Sequence, residues 1–399
     1  MRVKIIILMV FLLSVMYLSA DGVEPQGIGT EDEPYLLDSL DNLLWISTNA
    51  DSWESYFVQV ADIDASATQD WNEGAGFSPI GWWVSQEDIQ AFRGSYIGNC
   101  FVIEGLYINR PETDAGGMFG YTIAAILDGI KLVDAVICGD NYVGGLAGYT
   151  IGTLISNCSV EGDVSGDWSV GGLVGYNYSS EITDCYAAVN VTGGEYVGGL
   201  TGNNALDSEI TGCYTIGNVT GSELVGGLVG YNVRAVIINS YTTASVNGDF
   251  GVGGLVGDND ESTIANCYAS GSVTGEIDTG GLVGFNNSDI SSSIWNIESS
   301  SQLEGIGNNE GGTITDVLGR TTAEMQEIET YTDIGWDFEG ETTNGTEEIW
   351  DIGEGLNDGF AYITALEWTI VENGLYAWFI ADKQILELDR TLELNLGGK

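Results

Sequence analysis

The stretch Ser169-Val-Gly-Gly-Leu-Val-Gly-Tyr-Asn177 decides how this chain is read. It holds three glycines in nine residues, and glycine inside a strand loses packing and gains unfolded-state entropy. Yet the stretch recurs. VGGLAGY begins at Val143, VGGLVGYN at Val170, VGGLTGNN at Val197, VGGLVGYN at Val225, VGGLVGDN at Val252 and TGGLVGFN at Thr279, with an earlier AGGMFGY at Ala115. The steps are 27 or 28 residues, a period that marks a solenoid.

Between the glycine pairs the pattern alternates with period two. In Cys185-Tyr-Ala-Ala-Val-Asn-Val-Thr-Gly193, the residues Cys185, Ala187, Val189 and Val191 share one face. Leucine-rich repeats have a comparable length but a different frame, and helical repeats need a 3.6-residue period. The fold expected is all-β: a right-handed parallel β-helix (β-solenoid) of ~27-residue coils with short capping helices at its ends. Every residue type then forms a column along the rod at about 4.8 Å spacing. Gly139, Gly166, Gly193, Gly221, Gly248 and Gly275 mark a corner. Ile137, Val164, Val191, Val219, Val246 and Val273 point inward, and Asn177, Asn204, Asn232, Asn259 and Asn286 stack as an amide ladder.

These GG-L-(apolar)-G copies resemble the GLUG-repeat family of secreted and surface proteins. The flanks "EPYLLDSLDNLLWIS", "VADIDASA" and "FSPIG" upstream, and "TTAEMQE", "GWDF" and "IWDIGEG" downstream, share in that resemblance, which covers roughly residues 28 to 360. It implies a β-helical stalk or interaction module, often in adhesin-like surface proteins and also beside peptidase domains.

The N-terminus reads as a secretory signal peptide over residues 1–20. Arg2 and Lys4 precede an apolar run from Ile5 to Leu18, and Ser19-Ala20 offers small residues for cleavage. No later stretch is long and apolar enough to cross a bilayer. A linker follows at 21–34, then an N-terminal cap with the first coils at 35–115, the repeats at 116–312 and a C-terminal cap region at 313–399. Ser39 to Thr48 is expected to form a short helix over one open end of the sheet, with Ser39 as N-cap. Thr321-Thr-Ala-Glu324 reads as a capping box, and the Trp-rich tail from Trp336 is expected to close the other end.

Charge and composition narrow the chemistry. With 59 Asp and Glu against 10 Lys and Arg, the formal charge of −49 repels nucleic acid and anionic membranes. It suits a solvated extracellular surface, divalent cations or a high-salt setting. The chain has no histidine, which excludes Ser-His-Asp and Cys-His catalysis and HExxH metallopeptidase chemistry. Between Leu132 and Gly319 the only basic residue is Arg234, so a lyase needing several cations is poorly served. No enzymatic activity is expected, although a carboxylate-dependent polysaccharide-active β-helix enzyme stays open as an alternative.

Two sets of candidate residues remain. Asp258, Asp260 and Glu261 form the densest local group of oxygen ligands, a candidate calcium site, with the Asp163–Asp167 turn second. A solvated acidic turn is the competing reading. Six cysteines sit at 100, 138, 158, 185, 213 and 267, of which four share one column with Ser240. Parallel inward Cβ vectors disfavour the disulfide dihedral, so buried free thiols are expected. The residues after that column, Tyr186, Tyr214, Tyr241 and Tyr268, with Trp295 in phase, would then point outward as an aromatic stripe. Such a stripe suits sugar rings, or is a ladder that only stabilises the coil. The function expected is thus a secreted, adhesin-like surface or matrix interaction protein that binds a polysaccharide or a surface protein. A purely structural spacer or filament subunit is the remaining alternative.

Overall fold

The computed structural model describes residues 22–85, 88–340, 342–353, 357–364, 366–371 and 375–380. The proposed signal peptide lies outside the described residues. The architecture is a parallel β-solenoid of about eight coils of ~27 residues, as the period requires.

One coil shows how the repeat folds. Trp168–Gly171 is a short strand ending in the glycine pair, Val174–Tyr178 follows a sharp corner, Glu181–Thr183 is a three-residue strand, and Tyr186–Thr192 is the long strand. Each pairs in parallel with its counterpart one coil on: Val170 with Val197, Asn177 with Asn204, Ile182 with Ile210 and Tyr186 with Tyr214. The strands equivalent to Val174–Tyr178 stack into an eight-stranded sheet from Phe119–Ile123 to Ile306–Asn309.

The three glycines of each copy have three separate reasons. A Cβ on Gly171 would lie 2.1 Å from the Val174 carbonyl oxygen of its own coil. On Gly172 it would lie 2.2 Å from the Gly199 carbonyl oxygen of the next coil, and on Gly175 2.5 Å from the backbone of Tyr142 in the previous coil. Backbone therefore meets backbone on three sides of one corner, and no side chain fits.

The inside of the rod is filled by columns. Leu146, Leu173, Leu200, Leu228, Leu255 and Leu282 are fully buried, and the inward β-branched residues Ile137, Val164, Val191, Val219, Val246 and Val273 are buried as well. The asparagine column forms the expected ladder. Each Nδ2 donates to the next Oδ1 from Asn177 through Asn204, Asn232 and Asn259 to Asn286, at 2.9 Å each. The cysteine column is buried and free of disulfides. Its Sγ atoms donate to backbone carbonyls, and Ser240 takes the same place by donating to the Ile238 carbonyl.

The ends depart from expectation in two ways. The helix Leu40–Thr48 does form and buries Leu43 and Ile46, but Ser39 does not accept a capping bond; its hydroxyl donates to Asn42 Oδ1. The capping box closes as expected, with Glu324 accepting from the Thr321 N–H and the Thr321 hydroxyl accepting from the Glu324 N–H. The described part of the Trp-rich segment that follows, up to Ile363, does not sit on the end of the rod. It lies along the side, over the tyrosine column. The end of the apolar interior is instead filled by Trp295, against whose ring a Cβ on Gly281, Gly305 or Gly319 would collide at 2.1–2.7 Å.

Candidate binding surface

The tyrosine stripe read from the sequence exists as a ladder but not as a surface. Tyr186, Tyr214, Tyr241 and Tyr268 stack at 4.8–5.1 Å with interplanar angles of 7–10°. All four are buried, the last three completely. Tyr331, Trp336, Phe338, Trp350 and Phe360 cover them, and the Tyr268 hydroxyl donates to the Ala361 carbonyl at 2.7 Å. The ladder is thus the seat of the C-terminal segment. Trp295 is not in phase with it. The last coil is one residue shorter, so Ile294 pairs with Tyr268 and Trp295 pairs with Ala269, which sends the indole inward.

The carboxylates read as a calcium site are also resolved differently. Asp258 and Asp260 lie two apart on one strand and share its outer face. Glu261 follows in a left-handed turn, exposed, and its N–H donates to Asn287 Oδ1. Asp260 accepts from the Tyr231 hydroxyl at 3.0 Å and from Asn287 Nδ2 at 2.5 Å. Among the described residues no three His, Cys, Asp or Glu side chains are grouped to hold a metal ion. Asp163 of the second candidate turn accepts from Asn190 Nδ2, an ordinary surface pair.

A different aromatic surface is left half-exposed. The residue before each ladder asparagine, and before Thr122 and Thr150 at the same register, faces outward, giving a column of Tyr121, Tyr149, Tyr176, Asn203, Tyr231, Asp258 and Phe285. Tyr121, Tyr149 and Tyr176 stack nearly flat, at 4.8 Å and 8° and at 4.7 Å and 2°, so their faces cover one another. A second row comes from the corner beside the glycine pairs. Tyr142 meets Trp168 edge-on at 4.9 Å, Trp168 meets Tyr196 at 5.1 Å and 55°, and Tyr196 meets Tyr231 at 5.3 Å and 40°. Rings tilted this way keep part of each face open. Tyr142 and Tyr196 hold φ of 57° and 56°, a left-handed backbone that is uncommon for a bulky residue. The same corner position is Gly251 in a later coil, so the geometry does not call for an aromatic there.

Carboxylates ring this surface. Burial raises the Tyr196 hydroxyl above its ordinary value, and the charges of Glu195, Asp258 and Glu223 add to the effect. Burial raises Tyr142 as well, with Asp114 adding to it. Asp258 itself is pushed up to about 7, first by burial and then by Asp260. The sequence reading missed this cluster, although one signal was present. Once the asparagines, with Thr150 in the same register, are placed inward, alternation sends Tyr149, Tyr176 and Tyr231 out.

A cleft of about 590 Å³ lies between the rod and the C-terminal segment. Thr183, Asp184, Thr211 and Asn239 form one wall, and Glu347, Glu348, Asp351 and Tyr362 form the other. Burial pushes Asp184 up to about 6, and Asp351 accepts a short hydrogen bond from the Tyr362 hydroxyl.

Residues 139–165, 166–192, 221–247 and 248–274 each match the family described as the GLUG motif. The chain carries GLUG repeats. Each matched repeat runs from one corner glycine to the residue before the next, so one motif is one coil. A stretch of 142 residues is 39% identical to halomucin of Haloquadratum walsbyi, covering 35% of this chain and 2% of halomucin. Another 142-residue match, 32% identical, is to a protein of Evansella cellulosilytica described as a Gly-rich membrane protein candidate, covering 34% of this chain and 15% of that one. The chain therefore spans a small part of the relatives it matches. A Bacteroides ovatus crystal structure, described as that of a candidate immunoglobulin A1 protease, shares the GLUG solenoid's fold. It has a TM-score of 0.55 and 18% identity over 85% of this chain and 94% of that one. At that identity the likeness concerns the fold alone. Among the described residues no helix is long and apolar enough to cross a membrane.

Proposed function

We propose that this GLUG-repeat protein is a non-catalytic rod of the cell surface or extracellular space that binds polysaccharide along its Tyr142–Trp168–Tyr196–Tyr231 face. The observation that carries this reading is the tilted, half-exposed aromatic row, two of whose members stand at left-handed corners. Aromatic faces suit the apolar C–H faces of sugar rings, and the flanking carboxylates and hydroxyls suit their polar rims. The relative described as a Gly-rich membrane protein candidate supports the location, and the excess of acidic residues supports a well-solvated exterior. Retention on a panel of insoluble polysaccharides tests the reading. Trp168→Ala with Tyr196→Ala is expected to weaken retention by about tenfold or more, or ~1.4 kcal/mol, with little change in melting temperature. Full retention by this double variant removes the face from consideration.

The alternative of a two-carboxylate hydrolase has one observation in its favour, the acidic cleft in which Asp184, pushed up to about 6 by burial, stands opposite Asp351. Release of reducing ends from a retained polysaccharide, abolished by Asp184→Asn, would favour it. Retention without release favours the binding rod, and neither retention nor release favours a structural spacer.

A further inference from the structure

The end of the aromatic face near Asp258 contains acceptors that the protein leaves unused. Asn203 Oδ1 and Asp258 Oδ1 are both buried atoms with no hydrogen-bond partner, and they flank Tyr231 in one column. Asn203 is only 3% exposed. An unpaired buried acceptor costs about 1–3 kcal/mol, so two in one column, one on each side of Tyr231, call for donors from outside. The nearest hydroxyl in the column is committed, since Tyr231 donates to Asp260.

The electrostatics point the same way. The charges acting on the Tyr196 and Tyr231 hydroxyls come from Glu195, Glu223, Asp258 and Asp260, with no lysine or arginine among them. Trp168, Tyr196 and Tyr231 present tilted ring faces, which carry the negative lobe of the aromatic quadrupole. Ring faces and carboxylates converging on donor-starved oxygens make a site for an organic cation. A bare metal ion fits less well, because no group of three ligating His, Cys, Asp or Glu side chains is present among the described residues.

We propose that the Tyr196–Tyr231–Asp258 region takes the protonated primary amine of an amino-sugar polymer, an inference that rests on the polysaccharide reading above. One ammonium would donate to Asp258 Oδ1 and another along the polymer to Asn203 Oδ1, two strand spacings (about 9.6 Å) away, while the sugar rings lie along Trp168 and Tyr196. Anionic polysaccharides would be repelled by the same carboxylates.

The test uses the full chain with glucosamine oligomers and N-acetylglucosamine oligomers of equal length, which differ in whether the amine can carry charge. By calorimetry, the glucosamine oligomer is expected to bind about tenfold tighter at low ionic strength, with the preference shrinking as salt is added. Asp258→Asn is expected to reduce that preference to about threefold or less and to leave the N-acetyl oligomer's affinity unchanged. The exposed pair Glu195→Gln with Glu223→Gln should lower it without touching buried structure. Equal binding of the two oligomers overturns the amine site and leaves the polysaccharide reading standing. Absence of binding to any glycan overturns both. A lysine homopolymer that binds with the same Asp258 dependence, where neither oligomer does, reassigns the site to a basic protein and overturns the proposal.

Discussion

Replacing Asn204 by alanine tests whether the amide ladder holds the coils together. Asn204 is fully buried, accepts from Asn177 Nδ2 and donates to Asn232 Oδ1, both at 2.9 Å. Truncation leaves the two neighbours unequally exposed to loss. Asn177 Nδ2 keeps a bond to the Ser180 carbonyl at 3.3 Å. Asn232 Oδ1 has Asn204 as its donor and becomes a buried acceptor without a partner, at about 1–3 kcal/mol. Adding about 1 kcal/mol for the second lost bond gives about 2–4 kcal/mol. Asn309→Ala is the matched control. Asn309 is exposed at the end of the same ladder, and the amide that donates to it, Asn286 Nδ2, also donates to the Ser288 and Gly311 carbonyls. Its loss should stay within about 0.5 kcal/mol. Urea unfolding monitored by circular dichroism measures both, with a check that the slope is unchanged, since a solenoid can lose two-state behaviour. If Asn204→Ala falls within 0.5 kcal/mol of the parent, or Asn309→Ala matches it, the ladder is ornamental and the reasoning fails.

The remaining expectations concern backbone, sulfur and protons. Gly199→Ala places a Cβ 2.1 Å from the Gly227 carbonyl oxygen and should cost more than about 2 kcal/mol, whereas Gly353→Ala, whose nearest neighbour is the Tyr362 hydroxyl at 3.8 Å, should be neutral in a melting assay. A charged maleimide should label exposed Cys100 in the folded protein but reach Cys158, Cys185, Cys213 and Cys267 only after unfolding, and fewer than four newly labelled thiols by mass would argue for disulfides. Burial raises the Cys185 thiol well above its ordinary value, which reinforces its inertness. Asp258 and Asp184 are raised to about 7 and about 6 in the fold from 3.8, so the folded state holds protons that the unfolded state releases. Their contribution therefore favours folding below about pH 4 and is lost as pH rises to about 7. The fall in stability from pH 5 to pH 8 should be smaller in Asp258→Asn than in the parent; an equal fall would show that Asp258 is not buried as described.

What the sequence determined by itself was the repeat and everything the repeat forces. A 27-residue period with three glycines per copy leaves few ways to stack backbone on backbone, so the parallel solenoid, the inward column through Val191, the amide ladder through Asn204 and the free cysteine column were all legible from residues a fixed distance apart. What only the tertiary structure decided is which outward column stays outward. Alternation correctly turned Tyr214, Tyr241 and Tyr268 away from the core, but it carries no information on whether a segment near 331–363, more than 60 residues further along the chain, will lie on top of them. The same segment made the acidic cleft by bringing Asp351 across from Asp184. One short coil also moved Trp295 from the surface to the interior, because in a strand a slip of one residue reverses the face. The tilted cluster of Tyr142, Trp168, Tyr196 and Tyr231 arises between rows on two different strands of adjacent coils, a proximity that no single periodicity contains. Local periods set which way a side chain points; burial is settled by what the rest of the chain places against it.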